Sequence, residues 1–80
     1  MNDIAHLEAF RKRLKGMRQA LDLSQKQLAD RTAVSVKTIQ KYEYGDIPTG
    51  RNLIRLASVL NCSTDWLLQG SDYESEDAVH

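Results

Sequence analysis

The sequence predicts an all-α fold, a compact bundle of five short helices. Three observations carry this expectation. Apolar residues recur at spacings of three and four, as one face of a helix requires. A Ser, Thr or Asp opens each such stretch (Asp3, Ser24, Ser35, Thr49 and Ser63), where a side-chain oxygen can accept from an orphan backbone N–H. No segment alternates apolar and polar residues as a half-buried strand would. Eighty residues make one domain. A chain of that size buries only about 60% of the surface its unfolded form exposes, so the core is small.

Ile4, Leu7, Phe10, Leu14, Met17 and Leu21 mark the buried face of the first helix, with Asp3 as its cap. Arg11, Lys12, Arg13 and Lys15 fall mainly off that stripe and are expected to be exposed, as a solvated face or as phosphate contacts. Gly16 inside this helix costs about 1 kcal/mol relative to Ala, and the sequence supplies no reason for it. Ser24 and Gln27 form an S-x-x-Q capping box that opens a second helix running to about Arg31, burying Leu28 and Ala29. Thr32-Ala33-Val34 reads as a short turn. Ser35 caps a third helix, Val36 to about Tyr44, with Ile39 and Tyr42 facing inward. Gly45-Asp46-Ile47-Pro48 is a loop by composition. Thr49 opens a fourth helix whose inner face is Leu53, Leu56, Ala57 and Leu60. Ser63 caps a short fifth helix containing Trp66 and Leu67, which Gly70 closes in the left-handed conformation. The domain therefore spans residues 1–70. Residues 71–80 are acidic and without periodicity, which predicts a disordered tail or linker.

Formal net charge is zero, but it is unevenly distributed. Residues 1–70 hold all eleven Lys and Arg against seven acids, and the last ten residues carry four acids and no base. A basic body suggests a polyanionic partner. No apolar run approaches the roughly 20 residues of a membrane span, and the N-terminus lacks a signal peptide's apolar stretch. Cys62 is the only cysteine, which excludes an internal disulfide, suits a cytoplasmic protein and reads best as a small buried hydrophobe. His6 and His80 stand apart from any Cys, so neither a metal nor any other cofactor is expected. With no Ser-His-Asp or Cys-His set and no glycine-rich phosphate loop, the chain reads as a non-enzyme.

The second and third helices are separated by about three residues, a length typical of a helix-turn-helix. In that geometry the second member can enter a major groove with its N-terminal turns against base edges, while the N-terminus of the first is aimed at a phosphate. With Ile39 and Tyr42 turned inward, Val36, Lys37, Gln40, Lys41 and Tyr44 are left for the outer surface, two lysines and no acid among them. Lysines there can serve solubility as well as DNA contact, and the surrounding constellation favours DNA.

The ordered set Arg18…Leu23-Ser24-Gln25-Lys26-Gln27-Leu28-Ala29…Val34-Ser35-Val36-Lys37-Thr38-Ile39…Tyr42-Glu43-Tyr44-Gly45 resembles the Xre/Cro family of phage lambda-type repressors. The likeness continues through Pro48, Leu53-Ile54-Arg55-Leu56-Ala57 and Leu60 to Asp65-Trp66-Leu67-Leu68-Gln69-Gly70. It implies a lambda repressor-like DNA-binding domain acting on double-stranded DNA as a transcriptional regulator. Position by position, it implies that Gln25 contacts a phosphate and braces the recognition helix. Val36, Lys37 and Lys41 would reach bases or nearby phosphates, with Thr38 and Gln40 as flanking contacts. Tyr44, Arg51 and Asn52 would touch the sugar-phosphate backbone. Arg18 and Glu43 match a buried salt bridge whose role in the family is structural rather than in reading DNA. Two departures stand out. Ala33 occupies a turn position that is usually Gly, where a left-handed Ala costs roughly 1–2 kcal/mol. Thr32 replaces the apolar residue just before it.

The resemblance further implies a repressor, bacterial or phage-encoded, that binds a palindromic operator as a homodimer, with residues 60–64 as a candidate pairing region. Two alternatives stay open at this point. One is an antitoxin-type module that holds a protein partner through its acidic tail or long first helix. The other is the N-terminal domain of a longer phage-type repressor, with residues 71–80 as the linker.

Overall fold

A computed structural model of the chain describes residues 3–70, with side chains from Glu8 onward. Five helices are present: α1 (Asp3–Ala20), α2 (Gln25–Thr32), α3 (Val36–Tyr44), α4 (Gly50–Leu60) and α5 (Thr64–Gln69). No strand occurs among the described residues. Four of the five expected caps lie where their side chains can be seen, and all four work. The Ser24 hydroxyl accepts from the Gln27 N–H at 3.0 Å while Gln27 Oε1 accepts from the Ser24 N–H at 2.8 Å, completing the capping box. Ser35, Thr49 and Ser63 accept from the N–H groups of Thr38, Asn52 and Trp66. Asp3 is the first described helical residue, and its side chain lies outside the description, as do those of Ile4 and Leu7. The tail expectation also falls outside the described residues.

The core draws on every helix. Phe10 and Leu14 of α1, Leu28 of α2, Ile39 of α3, Leu56 and Leu60 of α4 and Leu67 of α5 are fully buried, each worth about 1.5–3 kcal/mol relative to exposure. Tyr42 is buried edge-on against Phe10, ring centroids 6.3 Å apart. Helix α1 packs on α3 and α5, α2 packs on α3 and α4, and α4 packs on α5. Met17, Leu53 and Trp66 are half-buried at the edge of this cluster.

Three local expectations need correcting. Leu21 does not continue the buried face of α1 but is 45% exposed. The helix ends at Ala20, and Asp22, at φ 61°, swings the chain so that Leu23 takes the core position instead. Like Arg11, Arg13 is half-buried rather than exposed. Its Nε and Nη2 donate to the Leu67 and Leu68 carbonyls at 3.0 and 2.7 Å, and its guanidinium lies 5.9 Å from the Trp66 ring centre. These are orphan carbonyls at the end of α5, so Arg13 closes that helix from α1. Burial in this position lowers the guanidinium pKa below its ordinary value. Gly70, which closes α5, sits at φ +89°, a backbone conformation that favours glycine, and an added Cβ would also stand 2.7 Å from the movable end of Arg13 at Nη1. The third correction concerns α2, which runs through Thr32, so that the turn comprises Ala33, Val34 and Ser35.

Among the described residues no helix is long and apolar enough to cross a membrane.

Candidate nucleic-acid interface

Thr32 is buried, yet its hydroxyl is satisfied locally: it donates to the Leu28 carbonyl at 2.8 Å and accepts from the Val34 N–H at 3.3 Å. Those bonds anchor the end of α2 and the start of the turn, which is why a polar residue is tolerated where an apolar one was expected. Ala33 follows in the left-handed conformation, φ 60° and ψ 28°, with its N–H on the Ala29 carbonyl. Its own carbonyl accepts a long bond, 3.5 Å, from Arg55 of α4. The chain thus reverses within three residues, and α3 begins at Val36 under the Ser35 cap.

On α3 the buried residues are Ile39 and Tyr42. The opposite side presents Val36, Lys37, Gln40, Lys41 and Tyr44, all exposed, Tyr44 at 89%. Lys37, Gln40, Lys41 and Tyr44 line a shallow open groove of about 300 Å³, with Asp46 beyond the helix end as its only acid. Thr38 is half-buried and its hydroxyl accepts from Ser35 at 2.8 Å, so it belongs as much to the cap as to the outer face. Arg51 is exposed in the first turn of α4. Asn52 beside it is half-buried and donates from Nδ2 to the Tyr42 hydroxyl at 2.9 Å, tying the start of α4 to α3. Spacing could not have revealed this bond, because it depends on how α4 packs.

Behind the groove lies the Arg18–Glu43 ion pair, with side chains only 11% and 6% exposed. It is bidentate: Nε donates to Oε2 at 2.6 Å and Nη2 to Oε1 at 3.1 Å. The remaining Nη1 donates to the Leu23 carbonyl at 2.8 Å, so the buried guanidinium is met on every side that faces the core. Gln25, half-buried at the start of α2, donates to Glu43 Oε1 at 3.1 Å and accepts from Gln40 Nε2 at 3.4 Å. Gln25 therefore bridges the ion pair and the outer face of α3.

A family model described as helix-turn-helix matches residues 14–67, which takes in the end of α1, all of α2 to α4 and most of α5. The chain belongs to this helix-turn-helix family. Similar proteins include the cryptic phage CTXphi transcriptional repressor RstR of Vibrio cholerae, 38% identical over 72% of this chain and 53% of that protein. The transcriptional regulator DicA of Escherichia coli is 38% identical over 75% of this chain and 45% of its own length. The chain thus spans about half the length of these curated relatives. Among solved structures, the P22 c2 repressor in complex with a synthetic operator superposes with a TM-score of 0.74 at 33% identity, covering 78% of this chain and 96% of that one.

Proposed function

We propose that this helix-turn-helix chain is a sequence-specific DNA-binding transcriptional regulator, a repressor that binds a palindromic operator as a homodimer. The observation that carries the reading is the exposed face of α3, where Lys37, Gln40 and Lys41 face solvent on a helix that the Arg18–Glu43 pair and Gln25 hold from behind. The likeness to an operator-bound repressor supports it. In this reading Val36 and Lys37 meet base edges first, Lys41 reaches bases or phosphates, and Thr38 and Gln40 flank them. Gln25, Tyr44, Arg51 and Asn52 face the sugar-phosphate backbone. Residues 1–70 form the DNA-binding domain and residues 71–80 an acidic tail or linker. Occlusion of a promoter in the cytoplasm needs binding alone.

The mechanism has a measurable signature. Lys and Arg that neutralise phosphates release counterions, so affinity falls as a power of salt concentration. With about four to six phosphate contacts per monomer, a log–log plot of association constant against salt has a slope of about −4 or steeper. Fluorescence anisotropy of a labelled duplex over a salt series measures it. Association that ignores salt would contradict the reading.

A further inference from the structure

The carboxylate of Glu43 is shared. Its Oε1 accepts from Arg18 Nη2 and, also at 3.1 Å, from Gln25 Nε2. An ionised carboxylate can only accept hydrogen bonds. It therefore fixes the rotation of the Gln25 amide, drawing the NH₂ inward and turning the carbonyl oxygen outward. That oxygen meets the NH₂ of Gln40 at 3.4 Å, on the exposed side of α3. A polarity set by a nearly buried acid is passed through two amides to the groove where Gln40 lies between Lys37, Lys41 and Tyr44.

We infer that Glu43 and Gln25 are positioning residues that determine which end of Gln40 is offered to a base pair. The inference rests on the DNA-binding reading and gives Glu43 a role beyond the ion pair. With one N–H held by Gln25, Gln40 retains its carbonyl oxygen and one N–H. An acceptor beside a single donor matches the amino group and N7 of adenine in the major groove. A Gln40 free to rotate loses that bias, because its NH₂ can equally turn toward the acceptors of guanine.

Gln25→Met tests the relay, since it keeps the side chain's length, removes both of its polar ends and leaves Arg18 and Glu43 in place. The full chain and its Gln25→Met, Gln40→Ala, double and Glu43→Gln variants are titrated against duplexes bearing each base pair at the position Gln40→Ala identifies. Gln25→Met is expected to cut the adenine preference there by about tenfold, the scale of one well-placed base contact. The double variant then loses no more preference than Gln40→Ala alone. Glu43→Gln, whose neutral amide can present either end to Gln25, broadens the same preference in whatever remains folded. In the free protein, the Gln40 side-chain N–H resonances shift in Gln25→Met. A Gln25→Met variant that weakens every duplex equally while keeping the Gln40 preference overturns the inference, as do Gln40 resonances that stay put. Failure of the unmodified chain to bind any duplex would instead remove the DNA reading on which the inference rests. The resonances, recorded without DNA, tell the two failures apart.

Discussion

At Gly16 and Ala33 the residue type and the backbone disagree in opposite directions. Gly16 sits exposed in α1 with helical backbone, and a Cβ added there would meet nothing within 4 Å. Ala33 holds φ 60°, a conformation that Gly adopts without steric penalty. Gly16→Ala should therefore stabilise the protein by about 1 kcal/mol. Ala33→Gly should relieve roughly 1–2 kcal/mol of strain. About 0.4–1 kcal/mol of that relief is lost to the greater freedom of Gly in the unfolded chain. Thermal melts of both variants check this, since 1 kcal/mol moves Tm by about 4–8 °C in a domain of this size. A lower Tm for Ala33→Gly would mean that the Ala methyl group makes contacts outweighing its strain. The strained turn is legible only through the family resemblance, in which Ala33 occupies a position usually held by Gly. The exposure of Leu21 is not legible: its spacing fits α1, and only the early end of that helix at Ala20 puts it in solvent.

At the scale of elements, what was legible is what is local. Each visible cap bonds a backbone group three residues away, so a Ser or Thr ahead of an apolar stretch suffices to place a helix start. Bonds between elements carry no such sign. Arg13 meets carbonyls 54 and 55 positions away, and Gln25 meets Glu43 across 18, distances at which periodicity is silent. The Arg18–Glu43 pairing, 25 positions apart, came into view through family resemblance alone. Its energetic weight follows from burial. Glu43→Ala leaves the Arg18 guanidinium without its partner at 11% exposure, and breaking such a buried pair costs about 3–5 kcal/mol. Small domains have about 5–15 kcal/mol in all, so Glu43→Ala should melt tens of degrees lower. Replacing both partners by apolar residues, Arg18→Met with Glu43→Leu, should recover much of that loss, because no charge is then stranded. Chemical denaturation of the three proteins gives the comparison, and a Glu43→Ala variant as stable as the parent would show that the pair contributes nothing net.

For the whole molecule, the core and the exposed face of α3 draw on largely different residues. The five-helix bundle follows from a core to which every helix contributes, and it would stand with quite different residues at Lys37, Gln40 and Lys41. Those three, free of packing duties, are where a DNA sequence would be read, while the buried pair and Gln25 hold the helix that carries them. One such helix contacts only a few base pairs, so a specific site calls for two copies related by a two-fold axis. Selection of bound duplexes from a random library by the full chain measures this directly. The expected result is an approximate palindrome with half-site centres about 34 Å apart, one turn of DNA. Enrichment of a single unrepeated site would contradict the dimer, and no enrichment at all would contradict sequence-specific binding itself.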